Sequence, residues 1–89
     1  MKHYLKTWPE AFNAVWSGIK RYEIRKNDRH YECDDHLVLQ EYFPEVDSFS
    51  GREIECVVTW MSAGTWGLPA DLCVMSIEIT KKVHPFTDS

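Results

Sequence analysis

Residues 18–29 concentrate the side chains best suited to chemistry: Lys20, Arg21, Glu23, Arg25, Lys26 and Arg29. Within that run Lys20, Glu23 and Arg25 place an ammonium, a carboxylate and a guanidinium close together. Held on rigid elements, such a set can bind a phosphate and move a proton. Acting on RNA without a metal, Glu23 would serve as base on a ribose 2′-hydroxyl while Lys20 and Arg25 stabilise the phosphorane. A plainer reading pairs Glu23 with Arg25 or with a lysine on a neighbouring strand and leaves the rest as a solvated edge. Arg21, Lys26 and Arg29 add cations for a nucleic-acid backbone. Trp66, between Gly64 and Gly67, offers an indole that could stack an unpaired base at ~1–3 kcal/mol or fold back over the core.

The elements that must position these groups are few, because the chain has only 89 residues. One domain is expected over residues 1–82, with 83–89 as a tail. A chain this small needs an aromatic-rich core or covalent staples, and its four Trp, four Tyr and four Phe suit the first. A net charge of −4 argues against bulk electrostatic attraction to nucleic acid. The average conceals a polarised chain: residues 20–29 sum to +3, while 32–55 carry eight acids against Arg52 alone. That acidic run makes a protein partner the competing reading. Three cysteines at long spacings argue against a disulfide framework. His30, Cys33 and His36 lack a fourth ligand at zinc spacing, so neither metal nor cofactor is expected. With no apolar run of leader or membrane-span length, a cytoplasmic protein without a membrane partner is expected.

Local patterning predicts the elements. Residues 3–6 read as a strand. Thr7 and Glu10 have the spacing of a capping box, with Pro9 in the first turn of a helix. Phe12, Val15, Trp16 and Ile19 share one helical face, and Gly18 ends it. From Lys20 the period becomes two, with Tyr22 and Ile24 on a packing face and Arg21, Glu23 and Arg25 on a charged outer face. Strands follow over 37–43, around 54–60 with Ile54, Cys56, Val58 and Trp60 inward, and over 72–80 with either Cys73, Met75, Ile77 and Ile79 or the opposite set inward. Cys33-Asp34-Asp35 is turn material, and 44–51 and 62–69 are loops. The fold class is α+β, mainly β: about five to six strands curled toward a pseudo-barrel around one amphipathic helix.

Gly18, Lys20, Glu23 and Arg25 together resemble the Gly-x-Lys-x-x-Glu-x-Arg signature of the ASCH family, small domains with a PUA-type barrel. Trp8-Pro9-Glu10, the run Glu23–Arg29, Gly51-Arg52-Glu53-Ile54 and Gly67-Leu68 resemble an uncharacterised bacterial and phage branch of that family, associated with RNA binding. The resemblance spans about residues 3–79. It implies a PUA-like barrel with a cleft that meets RNA or a modified nucleoside, and Lys20 on its floor. Some members are amidohydrolases on acylated cytidine, others ribonucleases or RNA binders. Where the amidohydrolases carry a threonine this chain has Glu23. RNA or a nucleotide-like ligand is therefore the expected partner. A protein-interaction module and a nucleoside amidohydrolase remain the alternatives.

Overall fold

The computed structural model describes residues 1–64 and 67–85. Five strands and one helix follow in the order β1 (Lys2–Thr7), α1 (Pro9–Trp16), β2 (Tyr22–Lys26), β3 (His36–Phe43), β4 (Ser48–Ala63) and β5 (Leu72–Val83). They form a single sheet in the order β1-β3-β4-β5-β2, with β1 parallel to β3 and every other pair antiparallel. The sheet curls into a half-barrel whose concave side is filled by Leu37, Leu39, Ile54, Cys56, Val58 and Met75. Phe12 and Val15 of α1 plug it, both fully buried.

Curling brings the two edge strands, β1 and β2, face to face. No backbone ladder joins them. Instead, Arg25 of β2 donates from Nη1 to the Lys6 carbonyl at 2.9 Å and from Nη2 to the Thr7 hydroxyl at 3.0 Å. Arg29 reaches the Tyr4 carbonyl at 3.1 Å. Guanidinium groups thus satisfy edge carbonyls that a closed barrel would satisfy with N–H groups.

Three expectations are corrected by this packing. The helix is not capped by Thr7: its N-cap is Trp8, without a side-chain cap bond, and Thr7 is the last residue of β1, its hydroxyl engaged by Leu5 and Arg25. Gly18 does end the helix in a left-handed conformation (φ +85°), but the turn that follows leaves Ile19 83% exposed rather than on the packing face. The sense of β2 is inverted. Glu23 points inward and is only 2% exposed, whereas Tyr22 (45%) and Ile24 (50%) point to solvent. Two cations neutralise the buried carboxylate, so charge pairing outweighs the apolar preference.

A fourth correction concerns β4. Ile54, Cys56 and Val58 are buried as their alternation predicts, but Trp60 is 67% exposed. The pairing with β5 passes from Val58–Ile77 directly to Trp60–Ser76, so Thr59 is an extra residue. This β-bulge reverses the parity of the strand, turning Trp60 out and Met61 in. At the other end of the molecule β5 continues to Val83, the His84 ring packs edge-on to Trp16 at 4.8 Å, and Pro85 lies against Gly51.

Candidate functional site

Between the facing edges of β1 and β2 lies a cleft of about 360 Å³ lined by Lys6, Thr7 and Trp8 on one side and by Lys20, Tyr22, Glu23, Ile24 and Arg25 on the other, with Ala11 of the helix. The floor is an ion triad. Glu23 Oε2 accepts from Lys20 Nζ at 2.7 Å, and Oε1 from Arg25 Nε at 2.9 Å. Local folding explains the convergence. The left-handed Gly18 turns the chain off the helix, the Lys20 N–H donates to the Ala14 carbonyl, and Lys20 Nζ reaches back to the Tyr22 carbonyl at 2.6 Å and to Glu23. Period two then sets Glu23 and Arg25 on the same face of β2.

Two cations around one anion leave this floor with a net charge of +1. Both Glu23 oxygens are engaged in charge-assisted hydrogen bonds, Oε2 with Lys20 and Oε1 with Arg25. The triad as it stands is better arranged to hold an anion beside Lys20 than to abstract a proton. Around the mouth stand the aromatic rings of Trp8, 63% exposed, and Tyr22, over whose ring Lys20 Nζ lies at 4.6 Å. Beneath the floor, burial first and the nearby Glu23 charge second push the Cys56 thiol up to about 12, so it is an inert core group.

The residues expected from sequence divide into three sets. Lys20, Glu23 and Arg25 meet in the cleft. Arg21, Lys26 and Arg29 are exposed around it, Arg21 donating to the Gly18 carbonyl and Arg29 to Tyr4. Trp66 lies outside the described residues. Thr7 and Trp8 also line the cleft, whereas the sequence places Thr7 at a helix cap and Trp8 only in the run that resembles the family. The signal available was an exposed-type aromatic directly after a strand.

The acidic run 32–55 is not one free acidic face. Asp35 is buried, bonded to His3 Nε2 at 2.9 Å and to the Glu32 N–H at 3.0 Å. Burial works to raise its carboxyl, and the hydrogen bonds from His3, Glu32 and the Met1 amino group overcome that and bring it down to about 2. Glu41 is likewise buried and gripped at both oxygens by Arg52, at 3.0 and 2.9 Å, which holds its carboxyl below the usual range. Glu53 accepts from Gln40. Among the described residues no helix is long and apolar enough to cross a membrane.

A protein-family model described as a domain of unknown function (DUF3850) matches residues 2–77, a span that contains every residue lining the cleft. A curated relative, the uncharacterized 12.9 kDa protein in the GpA 3′ region of Escherichia phage P2, is 42% identical over 57 residues, covering 64% of this chain and 50% of that protein. The match therefore spans about half the length of the phage protein.

Proposed function

The chain belongs to the DUF3850 family, and from the cleft that the family's span encloses we propose that it binds RNA or a nucleotide-like ligand between β1 and β2. One observation carries the reading: Lys20, Glu23 and Arg25 converge on the floor of one concavity whose mouth is rimmed by the exposed rings of Trp8 and Tyr22. A net positive floor suits a phosphate, and flanking π faces suit a base. The volume suits one nucleotide rather than a duplex. The likeness of Gly18, Lys20, Glu23 and Arg25 to the ASCH signature supports the same reading, and membership of the PUA-like ASCH group is part of the proposal. Binding is favoured over cleavage or amide hydrolysis because the candidate base is held at both oxygens.

Titration of a fluorescently labelled single-stranded RNA at increasing salt tests this. Each phosphate contact on a single strand contributes ~0.7 to the slope of log affinity against log salt. Lys20→Ala is expected to weaken binding and to shallow the slope by about that amount. Equal affinity and an equal slope in wild type and Lys20→Ala would overturn the reading.

A further inference from the structure

Two departures from ordinary burial meet on one surface. β2 presents Tyr22 and Ile24 to solvent, and the Thr59 bulge re-aims Trp60 outward. Register aligns them: Trp60 of β4 stands opposite Ser76 of β5, which stands opposite Tyr22 of β2, and the next row is Ser62, Val74 and Ile24. Two exposed rings therefore sit on the convex face about 10 Å apart, two strand spacings, with only a serine between them. In a small domain short of core, an indole placed in solvent by a bulge is a local conflict of the kind that marks function.

Cations adjoin this row. Lys20 lies over the Tyr22 ring, and Lys26 shares the outward parity of Tyr22 and Ile24. A second hollow of about 360 Å³, lined by Lys20, Arg21, Thr59 and Ile77 and by the acidic Glu78, shares Lys20 with the cleft and is bounded by the bulge residue that precedes Trp60. Serines and lysines interrupt the apolar groups, whereas a protein-docking patch has a continuous apolar centre.

We propose that the Trp60–Ser76–Tyr22 row is a stacking platform for single-stranded RNA, extending the one-nucleotide cleft into a track of several nucleotides past Lys20 and Arg21. This rests on the cleft reading above. Bases stack on the two rings, and the backbone between them runs beside the cations.

The test compares uridine 5′-monophosphate with a labelled uridine-rich RNA of about eight nucleotides, within the usual span of such sites, using wild type, Trp60→Ala, Trp60→Phe and Lys20→Ala. Trp60→Ala is expected to weaken the longer RNA by about 5- to 150-fold, the range of one lost base–aromatic stack, and to leave the mononucleotide unaffected. Trp60→Phe keeps most of the affinity, and Lys20→Ala weakens both ligands. Trp60→Ala binding the longer RNA as wild type does would overturn the platform while leaving the cleft intact. A longer RNA that binds and depends on Trp60 while the mononucleotide fails to bind would keep the platform and overturn the cleft. Absence of binding to either ligand would overturn both. Loss of self-association in Trp60→Ala by sedimentation velocity, with RNA binding unchanged, would reassign the row to a protein interface and overturn the platform.

Discussion

Glu23 is where the chemistry and the stability of this protein meet. Its carboxylate is almost fully buried, and its two partners are each about a fifth exposed. Removing one member of such a pair leaves the others desolvated and unpaired, at a cost of ~3–5 kcal/mol. Glu23→Ala is therefore expected to lose about 3 kcal/mol in urea unfolding, the low end because water can reach Lys20 and Arg25. A loss below ~1 kcal/mol would show that the triad is a surface pairing. Asp35 behaves differently. Its folded carboxyl at about 2 lies below its ordinary 3.8, so its contribution is complete above the unfolded value and disappears as pH falls from about 4 toward 2. Thermal midpoints should drop across that window, and Asp35→Asn should flatten the drop. At this scale the Lys20–Glu23–Arg25 set was legible because its members are near neighbours in sequence. Thr7 and Trp8 were not, because their role depends on an edge strand brought opposite them by the curl of the whole sheet.

At the scale of elements, period two revealed strands in β2 and β4 and the inward face of β4 from Ile54 to Val58, but not the inward face of β2 or the parity of β4 beyond Val58. In β2 the sign was decided by Lys20 and Arg25, which neutralise Glu23 inside. In β4 it was decided by one extra residue at Thr59. Neither alternation nor composition signals a bulge, so Trp60 reads as core from sequence and stands in solvent. The β1–β2 seam gives a prediction of its own. Arg25 holds both the Lys6 carbonyl and Glu23, whereas Arg29 makes a single exposed bond to Tyr4. Arg29→Ala should cost no more than ~1 kcal/mol, and Arg25→Ala about 3 kcal/mol, with amide exchange quickening first in β1. Equal effects would mean that the guanidinium seam does not hold the edges. Gly51 marks a second constraint, with φ +95° and an added Cβ only 2.6 Å from Pro85 Cβ. Gly51→Ala should lower stability by ~1–2 kcal/mol through backbone strain and displacement of Pro85.

Seen whole, the molecule is a half-barrel with its core on the concave side and the exposed Trp60, Tyr22 and Ile24 on the convex face. Its charge polarity, plain along the sequence, is rearranged by folding: Asp35 and Glu41 are consumed inside, while the basic run lies around the open seam. Cys33 is exposed and Cys56 and Cys73 are buried, burial pushing both buried thiols up. A thiol reagent should label one cysteine rapidly in the native protein and all three only on unfolding. Rapid native labelling of Cys56 would show that the floor of the cleft opens without global unfolding.

Mapping amide shifts in a ¹⁵N-labelled protein as single-stranded RNA is added decides whether the seam between β1 and β2 is a nucleotide-binding cleft. Binding in the seam produces concerted changes at Thr7, Trp8, Lys20, Tyr22 and Ile24. Changes confined to the acidic 32–55 segment, or none at saturating RNA, would contradict it.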